Sequence, residues 1–97
     1  MAKFQVNILE KAFDEIEKSK EYYECAQVNL GVSFTKEVFS ILETIEINPY
    51  LFPIKFNNLR EAAVKKFPFV VIFEILSNKE IIVLSVFHCR RNPEDKF

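Results

Sequence analysis

A chain of 97 residues, 49% hydrophobic and 28% charged, has the size and composition of one soluble domain spanning 1–97, with a core small enough for a partner to add to its stability. Its net charge of −1 excludes the strongly basic character common among nucleic-acid-binding domains, although residues 49–97 carry eight bases against five acids and residues 1–48 nine acids against five bases. No apolar run approaches the roughly 20 residues of a membrane span and no signal-peptide core opens the chain, so a cytoplasmic protein with no membrane association is expected.

Phe4, Val6 and Ile8 alternate with Lys3, Gln5 and Asn7, the period of a strand with one buried face. From about Glu10 the period lengthens. Phe13, Ile16, Tyr23, Ala26 and Leu30 fall near one helical face, with Glu17, Lys18, Glu21 and Glu24 on the others. Lys20 interrupts the stripe with a stem long enough to cover apolar surface. Gly31, the one glycine, is placed to end this helix as a C′ residue. A second helix repeats Phe34, Val38, Ile41 and Ile45, flanked by Phe39 and Leu42. It stops at Asn48-Pro49, because the residue before proline avoids helical backbone. The two helices form an antiparallel hairpin.

Pro49-Tyr50-Leu51-Phe52-Pro53 reads as an extended apolar connector laid across the domain, and Asn57-Asn58 as a turn. A strand is expected over Leu59 to Phe67. Phe69 to Leu76, charged only at Glu74, and Ile81 to Phe87 are apolar enough to be central strands, joined by a polar turn at Ser77-Asn78-Lys79-Glu80. The predicted fold is α+β in the order β-α-α-β-β-β, a helical hairpin packed on a mainly antiparallel four-stranded sheet.

Residues able to carry chemistry gather where Val83-Leu84-Ser85-Val86-Phe87 runs into His88-Cys89-Arg90-Arg91-Asn92-Pro93. A strand anchored in the core fixes where such a polar cluster emerges. His88, the sole histidine, is a candidate general base or acid, or else an imidazole bonded to backbone at a strand end. Arg60, Lys65, Lys66, Arg90 and Arg91 offer cations for a phosphate-bearing or acidic partner, or a scattered solvated surface. On one strand, Arg60 and Lys66 would share a face with Ala62 and Val64, opposite Glu61, Ala63 and Lys65. On the first helix Tyr23 continues the core stripe, while Tyr22 turns away to where it can meet a partner. Cys25 and Cys89 match neither a metal motif nor a disulfide framework, and free thiols are expected. No Gly-rich phosphate loop, zinc spacing or Ser-His-Asp order is present, and no cofactor or metal is implied.

A strand, a Glu-rich hairpin with Tyr22-Tyr23, and Asn48-Pro49 followed by Pro53 begin a longer pattern. It continues through Arg60-Glu61-Ala62 and Lys66-Phe67-Pro68-Phe69-Val70-Val71-Ile72-Phe73 to the ending Val86-Phe87-His88-Cys89-Arg90-Arg91-Asn92-Pro93. Together these resemble the RelE/ParE toxin superfamily, most closely its ParE-like, plasmid-stabilisation branch, over almost the whole chain. Phe69 departs from the pattern where relatives often carry Tyr, losing a hydroxyl and keeping the ring.

The resemblance implies a bacterial toxin neutralised by a cognate antitoxin that wraps around it. RelE-like members cleave messenger RNA in the ribosome, using basic residues on the sheet and often a C-terminal Tyr or His, whereas ParE-like members poison DNA gyrase. No Tyr follows Tyr50 in this chain. RNA cleavage needs a base, a cation for the phosphorane and an acid for the leaving group. His88 offers one proton-transfer group, with Arg60 and Arg90 for charge, and the sequence indicates no second. A gyrase-directed toxin is therefore the first expectation, with Arg60, Lys66, His88, Arg90, Arg91 and Tyr22 as partner contacts. A ribosome-dependent mRNA endonuclease and a non-toxic antitoxin-binding module are the alternatives.

Overall fold

The computed structural model describes residues 3–89. Their order is β1 (Gln5–Ile8), α1 (Glu10–Ala26), α2 (Leu30–Ile47), a 3-10 turn (Pro49–Leu51), β2 (Ile54–Phe56), β3 (Leu59–Ala63), β4 (Phe69–Ile75) and β5 (Glu80–His88). The strands form one sheet in the order β1-β5-β4-β3-β2, antiparallel except at one edge, where β1 runs parallel to β5. The helical hairpin covers one face, as expected of the α+β class. The sheet has five strands and not four. Ile54-Lys55-Phe56 turns back at Asn57, whose φ is 51°, and pairs with β3 as an added edge.

Ala12 and Ile16 of α1 and Phe34, Val38, Leu42 and Ile45 of α2 bury themselves against Val71, Phe73 and Val83 of the sheet. The buried stripe of α1 keeps Ile16 and Tyr23 as expected but takes Ala12 and Ser19 into it, while Phe13 is 52% exposed. Small side chains at 12 and 19 let α1 lie close to the sheet, where a ring at 13 would hold it off. Ala26 is likewise exposed, and Leu30 opens α2 instead of extending α1.

Gly31 does not end α1. The helix stops at Gln27, and Asn29 takes the left-handed backbone with φ 70°. Gly31 lies in the first turn of α2, where a Cβ would sit 2.5 Å from the Lys20 carbonyl oxygen and 3.0 Å from Glu24 Cβ. Close helix approach, not backbone conformation, is what requires glycine there. Glu24 completes the joint: Oε2 accepts from the Asn29 N–H at 2.9 Å and Oε1 from the Gly31 N–H at 3.0 Å. The preceding helix thus supplies the cap and the negative charge that the start of α2 lacks.

α2 ends at Asn48-Pro49 as expected, with Phe39 exposed and Ile41 half-buried. The next segment is a 3-10 turn and not an extended strap. Pro49 is buried, Tyr50 and Leu51 are exposed, and Phe52 turns in against Phe73. Nor is Leu59 to Phe67 one strand. β3 ends at Ala63, and a loop closed by the Val64 N–H on the Phe69 carbonyl (2.9 Å) carries Lys66 at φ 70°. Pro68 has no N–H for a ladder bond, so pairing resumes at Phe69.

One irregularity positions the strand that carries His88. Ile72 pairs with Ser85 and Phe73 with Val83, leaving Leu84 as an extra residue. The bulge aims Ser85 at α1, where its hydroxyl donates to Glu15 Oε1 at 2.8 Å, and the Val86 N–H donates to the same oxygen at 3.1 Å. Lys11 pairs with Glu15 Oε2 at 3.2 Å. Glu15 therefore fastens α1 to β5. No described helix is long and apolar enough to cross a membrane.

Candidate functional site

A cleft of about 540 Å³ opens between α1 and the ends of β4 and β5, lined by Glu15, Lys18, Ser19, Tyr22, Tyr23, Phe69 and His88. Positions 15, 18, 19 and 22 recur at helical spacing, so one face of α1 forms one wall. The opposite wall comes from sheet register: Phe69 pairs with His88, and their rings meet edge to face at 4.9 Å. Tyr23 backs the cleft, packed against Phe34 at 5.3 Å, Phe67 at 4.9 Å and Phe69 at 6.2 Å. Tyr22 stands at the rim, 71% exposed, with its ring edge-on to Tyr23 at 5.4 Å.

The arrangement is an aromatic floor with a buried hydroxyl, Ser19, and opposite charges, Glu15 and Lys18, at its margin. Such a concavity suits an apolar side chain oriented by a few polar contacts. The structure brings together His88 and Tyr22, which the sequence offered separately. Glu15, Lys18, Ser19 and Phe69 were missed. Their signal was the helical spacing to Tyr22 and the strand-end position of Phe69 opposite His88.

Arg60 lies elsewhere. Its Nη1 donates to the Phe52 carbonyl at 2.6 Å, and its guanidinium sits 5.4 Å over the Tyr50 ring. It lines a separate cavity of about 390 Å³ with Ile54, Ile75 and Asn78. Arg60 pairs with Phe73 and His88 with Phe69, four residues along β4 and two strands across the sheet. Their backbones are therefore about 16 Å apart.

Lys66 sits in the β3–β4 turn and not on a strand face with Arg60. It is 3.4 Å from Glu37 of α2, a surface pair that adds little stability. Arg90 and Arg91 lie outside the described residues. Cys25 and Cys89 are exposed free thiols. Among the described residues, no group of three His, Cys, Asp or Glu side chains is gathered to hold a metal ion.

The family model for the ParE toxin of the type II toxin–antitoxin system parDE matches residues 6–93. No curated protein matches the chain. Among solved structures, the chain is similar to the chromosomal ParDE toxin–antitoxin system from P. aeruginosa. That likeness has 13% identity and a TM-score of 0.74, and it covers 88% of this chain and 95% of the other. At this identity it is a likeness of fold.

Proposed function

This chain belongs to the ParE toxin family of type II toxin–antitoxin systems, and from that premise we propose that it acts by gripping a protein target, DNA gyrase, through the cleft of Tyr22 and His88. The observation that supports binding is the aromatic-floored cleft itself. The separation of His88 from Arg60 removes that pair from an RNA-cleavage site, leaving Lys18 as the described cation that shares the cleft with His88. A phosphoryl-transfer site needs its proton-transfer group and its cation within hydrogen-bond reach of one phosphate. A spacing of about 16 Å is too great for that. The Arg60 guanidinium is moreover engaged by Phe52 and Tyr50 at the other end of the sheet. Recognition of a protein surface needs neither group in that role. It needs an anchor pocket with a polar rim, and the cleft has one. His88 then orients a bound side chain and Tyr22 closes over it.

A cognate antitoxin is the second partner in this reading, in the cytoplasm. The exposed edge strand β2 and the groove along α2 that holds Lys66 can accept an antitoxin strand or helix. Its binding to the folded chain alone would raise the melting temperature by mass action.

The test is to titrate the purified chain into the DNA gyrase of its own host. Inhibited supercoiling with trapped cleaved DNA is the expected result. Undiminished supercoiling with folded chain present, alongside new transcript ends on induction that vanish in His88→Ala, would replace this reading with RNA cleavage.

A further inference from the structure

α2 presents a second face that no described element covers. Its buried side turns Phe34, Val38, Leu42 and Ile45 toward the sheet. The residues exposed along the helix are Val32, Lys36, Phe39, Ser40, Glu43 and Ile47. At about 100° per residue all of these fall within one arc of about 100°, opposite the buried side. The outer face of a surface helix is ordinarily polar, yet half of this one is apolar. Val32 is 52% exposed, Phe39 46% and Ile47 53%.

The charges on this face are equally unused. Lys36 and Glu43 take part in none of the ion pairs among the described residues, and Lys66 at the margin is held by Glu37. The neighbours of Lys36 at helical spacing are Val32, Ser33, Phe39 and Ser40, and those of Glu43 are Phe39, Ser40, Glu46 and Ile47. Neither therefore has an opposite charge within reach along its own helix.

The order of these groups along the helix selects the occupant. A second α2 can lie antiparallel to the first about a two-fold axis between Phe39 and Ser40. Val32 then meets Ile47 of the second copy, Lys36 meets Glu43, and Phe39 meets Ser40, with the two Phe39 rings flanking the axis. Every exposed position finds a counterpart, apolar against apolar and cation against anion. A parallel pairing would instead set Lys36 against Lys36 and Glu43 against Glu43, which repel.

We propose that two copies of this chain associate through α2 in this antiparallel register. The contact runs about 23 Å, from Val32 to Ile47. One helix pair is small for an interface, so the association is reversible, with a dissociation constant on the order of 10–100 μM. It uses no residue of the cleft between α1 and the sheet. It does cover Val32, Lys36, Phe39 and Glu43 of the groove offered above to an antitoxin helix, so copy and antitoxin exclude one another there. The inference does not rest on the identity of the target.

The experiment is sedimentation velocity of the purified full chain across the micromolar range. A shift from monomer to dimer with rising concentration is expected. Lys36→Glu should weaken dimerisation about ten-fold or more, since both charge pairs become repulsive, and Glu43→Lys should do the same. The two substitutions combined should restore the parental value, because the pairs are then only exchanged. Both positions are exposed, so the variants keep the fold. A chain that stays monomeric throughout would overturn the proposal and leave the face to the antitoxin. A dimer that the single substitutions leave unchanged, or that the double exchange does not restore, would overturn it too.

Discussion

Phe34→Ala should cost about 3–5 kcal/mol of folding stability. Phe34 is fully buried and joins three elements, packing against Tyr23 of α1 at 5.3 Å, Phe67 of the β3–β4 loop at 5.2 Å and Phe69 of β4 at 4.9 Å. Truncation removes the ring's own burial and leaves a cavity bounded by three rings that cannot all close in. That range already includes the lost aromatic pairs, each about 0.5–1.5 kcal/mol beyond area, and three of them place Phe34 toward its upper end. Small domains have a total stability of only about 5–15 kcal/mol. The melting temperature should therefore fall by about 15 °C or more. Because Tyr23 and Phe69 are also walls of the cleft, target binding should weaken together with the fold. Urea denaturation measures the first effect, and a loss below about 1 kcal/mol would mean the cluster repacks around the void.

Gly31→Ala is expected to destabilise, against the usual sign. Alanine inside a helix ordinarily gains about 0.5–1 kcal/mol over glycine. Gly31 has no positive φ, so its backbone would accept alanine. The obstacle is α1: the new methyl would meet the Lys20 carbonyl oxygen at 2.5 Å, a backbone atom that cannot swing aside. Forcing the helices apart should cost about 1–3 kcal/mol. It also pulls the Gly31 N–H from Glu24, a cap contribution of about 1 kcal/mol. Glu24→Ala in the same background should then cost less than it does alone, since the two share one joint. A Gly31→Ala chain as stable as its parent would mean that the hairpin does not close this tightly.

Both substitutions touch places where the sequence misled. Gly31 looked like a helix stop because glycine commonly ends helices, and only the facing backbone of α1 discloses its steric role. The stripe through Phe13 followed periodicity, but the space under α1 is set by the sheet, which favours Ala12 and Ser19 instead. Strong apolar runs were legible: β4 and β5 are central, and Asn48-Pro49 ends α2. The three-residue edge β2 was not, because its pairing depends on a partner strand and on Asn57 at positive φ. His88 and Tyr22 were visible as single residues. Their meeting depends on the bulge at Leu84, and on Glu15 gripping Ser85 and the Val86 N–H, neither of which leaves a mark in a hydrophobic pattern. Arg60 stands beside His88 only as a candidate for the RNA-cleavage alternative that the resemblance implies, and strand register separates the two.

If the cleft is where the target is gripped, Tyr22 gives access to that contact without disturbing the fold, because its ring is largely exposed and meets Tyr23 in an edge-to-face contact. The most direct measurement is the concentration of purified Tyr22→Ala chain needed for half-inhibition of gyrase, beside the parent chain and with both melting curves recorded. An anchor residue at an interface contributes about 2 kcal/mol, so half-inhibition should move up roughly thirty-fold while the melting temperature stays within a few degrees. Half-inhibition at the parent concentration, with the fold intact, would contradict the assignment of this cleft as the contact surface.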